Sequence, residues 1–147
     1  MNILISACIL GIYCRYDGSL NMNDAIRQKI GDYNFIPVCP EQLGGLKTPR
    51  EPSEIKDGRV YAKGGADLTD NYYRGAEECL KIAKLLDCRY AILKDRSPSC
   101  GVDVIYDGSF SGKRIKGNGI TAAILAKNGI TVIPESLAEK FFQTFEK

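Results

Sequence analysis

Ile3–Leu4–Ile5–Ser6–Ala7–Cys8 is a short apolar run that gives way to small residues and then to a cysteine. Without polar alternation, such a run reads as a strand buried on both faces. Phe35–Ile36–Pro37–Val38 leads into Cys39 in the same manner, and Tyr90–Ala91–Ile92–Leu93 lies a few residues before Cys100. Strands are therefore expected near 3–7, 35–38, 89–93 and 130–133. If these runs are neighbouring parallel strands, their carboxyl ends gather three thiols from distant parts of the chain at one sheet edge. That edge is where open α/β sheets place their ligands.

Helical patterns fill the intervals. Ala76, Cys79, Leu80, Ala83 and Leu86 form one apolar stripe over 74–87, with Glu77, Glu78, Lys81 and Lys84 mostly outward. A second helix is expected over 119–128, stopped by Asn128–Gly129, and a third over 135–146 with Leu137, Ala138, Phe141, Phe142 and Phe145 inward. A weaker pattern covers 22–30. Strand–helix–strand alternation with short connections predicts an α/β fold: a single domain over 1–147, with a mainly parallel sheet covered by helices, Rossmann- or flavodoxin-like. The strand order is not legible in the pattern. Two segments break the alternation. Val60–Tyr61–Ala62 after Asp57–Gly58 suggests a hairpin within 40–71. Val102, Val104 and Tyr106, then Asp107–Gly108, then Phe110, suggest a second within 101–118. Both are expected to lie over the carboxyl edge of the sheet as a lid.

The 147 residues are 44% hydrophobic and 26% charged, which suits one folded domain and argues against disorder. A net charge of +2 without a long basic run demands no nucleic-acid partner. No stretch reaches the ~18–20 apolar residues of a membrane span. Met1–Asn2–Ile3–Leu4 lacks the basic lead of a secretory signal, so a cytoplasmic location is expected. There, clustered cysteines more often mean metal or redox work than disulfides. The chain has no histidine, which leaves proton transfer to carboxylates, lysines, thiols and hydroxyls, and metal binding to sulfur and oxygen.

Of the six cysteines, Cys79 sits on a helical apolar stripe and Cys88 between that helix and the next strand, so both read as small buried hydrophobes. Cys8, Cys39 and Cys100 occupy strand-end loops, separated by 31 and 61 residues, which is no standard local motif. Spacing alone leaves a shared site and separate packed thiols as alternatives. Cys14 follows Cys8 in the same loop, either as a fourth sulfur or as a packed loop thiol. No C-x-x-C occurs, so neither the usual zinc pattern nor a close catalytic pair is present. An iron–sulfur cluster accepts thiolates from separated loops and is favoured over zinc on that ground.

Several runs together resemble one family. They are Leu4–Ile5–Ser6–Ala7–Cys8–Ile9–Leu10–Gly11, Arg15–Tyr16–Asp17–Gly18, Pro37–Val38–Cys39–Pro40–Glu41–Gln42–Leu43–Gly44–Gly45 and Thr48–Pro49–Arg50. Gly75–Ala76–Glu77, Lys94–Asp95–Arg96–Ser97–Pro98–Ser99–Cys100–Gly101 and Tyr106–Asp107–Gly108–Ser109–Phe110–Ser111–Gly112 continue the series in order along nearly the whole chain. They are similar to domain of unknown function 523, whose characterised members are TudS-type thiouracil desulfidases. The resemblance implies an oxygen-sensitive [4Fe–4S] cluster, held by three cysteines matching Cys8, Cys39 and Cys100 and open to loss in air. Cys14 stands where relatives often lack cysteine. The fourth iron would bind the thiocarbonyl sulfur of a 2-thiouracil-like ring, water would attack the carbon without net redox change, and sulfide would be captured on the open iron.

On that reading Glu41, two residues after a ligand cysteine, is the expected base. Ser97 and Ser99 are expected to bond the pyrimidine or orient the water, with turn chemistry around Pro98 as their alternative. Asp17 and Arg50 either bind ring edges or organise loops. Lys94 and Arg96 place positive charge beside an anionic cluster or solvate a loop. The implied partner is a small thiopyrimidine or thionucleoside, with RNA only through a separate subunit and with oligomeric state undetermined. Two other classes compete: a non-catalytic cysteine-ligated metal module, structural or sensing, and a thiol redox protein.

Overall fold

Ile3, Leu4 and Ile5 lose all contact with solvent. The reason lies in the layering seen in the computed structural model, which describes residues 1–20 and 22–146. In chain order the elements begin with β1 (Asn2–Ser6), a 3-10 turn over Ala7–Ile9, α1 (Asp24–Arg27), β2 (Asn34–Val38), α2 (Pro40–Leu43), β3 (Ser53–Lys56) and β4 (Arg59–Ala62). There follow α3 (Thr69–Leu85), β5 (Tyr90–Leu93), β6 (Val104–Tyr106), β7 (Arg114–Lys116), α4 (Ile120–Lys127), β8 (Thr131–Pro134), a 3-10 turn over Glu135–Leu137, and α5 (Ala138–Phe145).

β1, β2, β5 and β8 form one parallel sheet in the order β2-β1-β5-β8. Counting only these four strands, that is the start of the flavodoxin order, and the expected α/β class holds. Successive side chains of a strand point to opposite faces. Leu4, Ala91 and Leu93 accordingly pack with Cys79 and Ala83 of α3 and with Ala122 and Leu125 of α4. Ile3, Ile5, Ile92 and Ile133 pack on the other face with Ile26 of α1 and with Ala138 and Phe142 of α5. Helices on both faces explain why the strands read as continuous apolar runs.

The chain leaves β1 for β2 on one side and reaches β5 on the other, so the strand order reverses at the β1–β5 boundary. Ligands bind outside the carboxyl ends of strands at such a point. The two strand ends are tied there, because Ser6 Oγ accepts the Lys94 N–H at 2.9 Å.

Both hairpins exist, and one differs from expectation. β3 and β4 meet through Asp57–Gly58, both at positive φ (50° and 77°), the two-residue turn that Asp-Gly favours. The second does not turn back at Asp107–Gly108. β6 and β7 pair with Tyr106 opposite Arg114, which puts Phe110 in the connecting loop rather than in the returning strand. Two local ties produce the wider loop. The Asp107 carboxylate accepts the Ser109 N–H and O–H, and the Glu54 carboxylate accepts the N–H groups of Gly108 and Phe110 at 3.0 and 3.1 Å. The pattern over 22–30 yields only the single turn of α1, and the helix expected over 74–87 begins earlier, at Thr69.

α2 went unread in the sequence. It packs backbone to backbone on α3: a Cβ on Gly75 would fall inside the Pro40 carbonyl, and one on Gly44 inside the Asn71 carbonyl. Only glycine permits this approach, which fixes α2 and everything it carries against the largest helix.

Candidate active site

The ends of β1, β2 and β5 open onto a cavity of about 390 Å³. Cys8, Cys39 and Cys100 all line it, each delivered by a different strand end, and Cys14 lines it as well. Cys39 is the residue before α2, so the first turn of that helix brings Glu41 to the same cavity. Cys100 sits in a turn drawn tight by Ser97, whose Oγ accepts the N–H of Ser99 and of Cys100, both at 3.1 Å. Ser97 itself faces the cavity.

Glu41 and Arg50 form an ion pair at 3.5 Å, 13 and 10 % exposed. The same guanidinium donates to the carbonyl oxygens of Cys14 (2.9 Å) and Lys47 (3.1 Å) and to Thr48 Oγ1 (3.1 Å). Arg50 thus staples the Cys14 loop to the carboxylate of α2. Burial pushes the Glu41 carboxyl above its usual range, and Arg50 only partly opposes the shift. Lys94, also at the cavity, pairs with Glu135 at 2.6 Å.

The thiols divide by environment. A hydrogen bond from Cys14 lowers the Cys8 thiol against the opposing effect of burial, and the Cys39 thiol is lowered by Cys14 in the same way. The Cys14 thiol is in turn pushed well up, by Cys39 first and then by Cys8. Cys39 also contacts the Cys14 carbonyl, at 3.8 Å. Burial pushes the Cys100 thiol up, opposed by a bond from Ser6. Cys8 and Cys39 are thus the sulfurs most readily held as thiolates, the form that binds metal.

Two residues expected at the site from sequence lie elsewhere. The Asp17 carboxylate accepts the N–H (3.0 Å) and O–H (2.7 Å) of Ser19 in an exposed turn, and these bonds hold it below the usual carboxylate range. Ser99 is wholly buried, with its Oγ 2.7 Å from Thr121 Oγ1, and so faces α4 instead of the cavity. Cys79 and Cys88 are core residues, as read. Sequence reasoning missed Ser53, Glu54 and Tyr72, which line the cavity from β3 and α3. Tyr72 stands four residues before Ala76 and so mimics a core position, whereas Ser53 carries no sequence signal.

The donor set at the strand ends fits an iron–sulfur cluster: sulfur is the only soft ligand there, and the chain has no histidine. Among the described residues no three His, Cys, Asp or Glu side chains close around a single ion. A polynuclear cluster takes one thiolate per iron and spreads its ligands more widely. A family profile described as 2-thiouracil desulfurase matches residues 3–136. The chain belongs to the 2-thiouracil desulfurase family. It is 43% identical to an uncharacterized protein of Bacillus subtilis strain 168, YbbK, over 91% of this chain and 95% of that one. The solved structure of the [4Fe–4S]-dependent thiouracil desulfidase TudS superposes with a TM-score of 0.91 at 36% identity, over 99% of this chain and 97% of that one. Membership in the desulfurase family thus accounts for the motif resemblance and for the fold together. Among the described residues of this family member no helix is long and apolar enough to cross a membrane.

Proposed function

We propose that this protein is a [4Fe–4S]-dependent thiouracil desulfidase that replaces the thiocarbonyl sulfur of a small 2-thiopyrimidine, as base or nucleoside, with oxygen from water. The observation that carries this reading is the convergence of Cys8, Cys39 and Cys100 on one cavity that also holds a secluded carboxylate. In this reading those three cysteines are the cluster ligands. Held there, a cluster would supply thiophilic Lewis-acid chemistry toward the thiocarbonyl sulfur.

The remaining work falls to side chains. Glu41 takes a proton from the attacking water: burial raises its proton affinity toward the working pH, and Arg50 keeps its oxygen oriented. Ser97 Oγ already accepts two backbone N–H groups, so its own proton is directed outward to the ring or the water. Tyr106 and Phe110, from the second hairpin, offer flat apolar surface to a planar heterocycle. Asp17 and Ser99 serve the framework, one closing a turn and the other tying the Cys100 turn to α4. Thione and water give ketone and hydrogen sulfide, so no electrons are exchanged. All six cysteines are unpaired, in keeping with the reducing cytosol in which we place the reaction.

Heavy-oxygen water tests the chemistry. Anaerobically reconstituted enzyme given 2-thiouracil without reductant is expected to yield uracil labelled at the former thione position and one hydrosulfide per turnover. Unlabelled product, or a need for reductant, overturns the hydrolytic reading. One observation favours a second reading, a closed four-thiolate module without catalysis: Cys14 lines the same cavity as Cys8, Cys39 and Cys100, and Cys39 Sγ stands 3.8 Å from its carbonyl oxygen. It predicts that replacing Cys14 destroys the metal centre.

A further inference from the structure

Strand register brings Lys94 and Glu135 together. β5 and β8 pair in parallel with Leu93 opposite Pro134, so the next residue of each strand end meets the other. Lys94 Nζ donates to Glu135 Oε1 at 2.6 Å, with the two side chains only 25 and 14 % exposed. Glu135 is held from two further sides. Its Oε1 accepts the Asp95 N–H at 3.4 Å, and its Oε2 accepts from Asn23 Nδ2 at 3.5 Å, at the start of α1. An exposed ion pair contributes little to stability, and a half-buried one is no better than packed apolar side chains. Its place beside the cavity therefore calls for a use.

The backbone of Lys94 is fixed as well: its N–H is held by Ser6 Oγ at 2.9 Å, two residues before Cys8. Lys94 lines the cavity and Glu135 does not. An ammonium carries three N–H donors. Glu135 takes one, and no other group among the described residues takes the remaining two. Both charges are felt at Cys8. Behind the larger effects of Cys14, burial and Glu41, the Lys94 ammonium draws that thiol down and the Glu135 carboxylate pushes it up. Arg50, by contrast, is occupied by Glu41 and by the carbonyls of Cys14 and Lys47. The Cys8 side of the cavity thus holds a positioned cation with donors to spare.

We propose that Lys94, positioned by Glu135, donates a hydrogen bond to the sulfur as it leaves the ring and then binds it as hydrosulfide. The identity of the leaving atom rests on the desulfidase reading; the positioned donor near Cys8 rests on the geometry of the pair. In that reaction the carbon–sulfur bond breaks and the oxygen of water takes the sulfur's place. One proton of the water stays with the sulfur as hydrosulfide, and the other passes by way of Glu41 to solvent. Lys94 keeps its own proton throughout. Negative charge collects on the sulfur, and a charge-assisted hydrogen bond in a secluded site favours that change. Glu135 has a second effect: its carboxylate opposes the field of Lys94, so hydrosulfide is held less firmly and can leave. The rival role for the pair is a mere tie between the ends of β5 and β8.

The test titrates anaerobically reconstituted holoenzyme with hydrosulfide and follows the visible absorbance of the cluster. It compares wild type, Lys94→Met, Lys94→Arg and Glu135→Gln, each with its iron content determined. Lys94→Met is expected to weaken hydrosulfide binding about tenfold or more, and Lys94→Arg to restore most of it. Glu135→Gln keeps an acceptor for Lys94 and removes the opposing charge, so hydrosulfide should bind several-fold tighter. A tie between strands predicts otherwise: Lys94→Met and Glu135→Gln would both lower the melting temperature, with affinity unchanged or shifted in the same direction. Equal affinity in wild type and Lys94→Met, no hydrosulfide binding by either, or weaker or unchanged binding in Glu135→Gln overturns the role of Lys94. If Lys94→Met takes up no iron, the shift in Glu135→Gln decides alone: tighter binding upholds the role, and weaker or unchanged binding overturns it. Failure of wild type to desulfurate 2-thiouracil while hydrosulfide affinity still depends on Lys94 overturns the desulfidase reading instead.

Discussion

Arg50 Nη2 stands 3.5 Å from Glu41 Oε2, and the same guanidinium holds the carbonyl of Cys14. One cation thus sets both the carboxylate after Cys39 and the loop after Cys8. Glu41→Gln keeps the shape and removes the proposed base, so kcat for 2-thiouracil should fall by about 10²–10⁴-fold, with iron content unchanged. A base works only when deprotonated, so turnover falls as pH drops through the raised Glu41 value. Arg50→Met removes the opposing charge, which raises that value further. The acid limb of the pH–rate profile should therefore move to higher pH in Arg50→Met.

The cysteines make a separable prediction. Ser substituted at Cys8, Cys39 or Cys100 should each cut iron and acid-labile sulfide sharply in anaerobically reconstituted protein. Cys14→Ser should retain most of both, since the proposed ligand set leaves Cys14 out although it lines the same cavity. Iron and sulfide analysis with the visible absorbance of the cluster reads the difference.

Gly75 connects the fold to the site, because its missing Cβ lets Pro40, and with it Cys39 and Glu41, sit directly on α3. Gly75→Ala forces the two backbones apart at a cost of about 1–3 kcal/mol. Its melting temperature should fall, by roughly 2–4 °C per kcal/mol for a chain of this size. Activity should fall beyond what the stability loss explains, as Glu41 moves off the cavity.

Glu54 should prove a positioning residue. Its carboxylate accepts two backbone N–H groups of the Phe110 loop, and Glu54→Ala frees both. Hydrogen exchange at Gly108 and Phe110 should accelerate, on the order of tenfold for the loss of about one hydrogen bond's stability. KM should rise more than kcat falls, since in the proposed reading Phe110, at the cavity wall, offers surface to the ring rather than to the reacting carbon.

The four sheet strands were legible because helices cover both faces, leaving Ile3–Ile5 and Ala91–Leu93 no reason to alternate. That pattern also put Cys8, Cys39 and Cys100 at strand ends. Side-chain direction in the connecting loops was not legible. Ser99 turns into α4 because Thr121 is there to meet it, and Phe110 leaves its strand because Glu54, 56 residues earlier, holds its N–H. Asp17 satisfies itself on Ser19 two residues on, a local choice that competes with any distant partner. α2 escaped notice because a single turn has no periodicity, and its glycine contact with α3 is purely tertiary.

The central claim is that a cluster held at the three strand ends and the carboxylate of Glu41 act together on a thiocarbonyl. The most direct measurement is hydrosulfide release from 2-thiouracil by anaerobically reconstituted wild type, Cys39→Ser and Glu41→Gln, each with its iron content determined. Release by wild type alone, with Glu41→Gln loaded but inactive and Cys39→Ser unloaded, is the expected result. Full cluster loading in wild type with no release, or release that persists in Glu41→Gln, would contradict it.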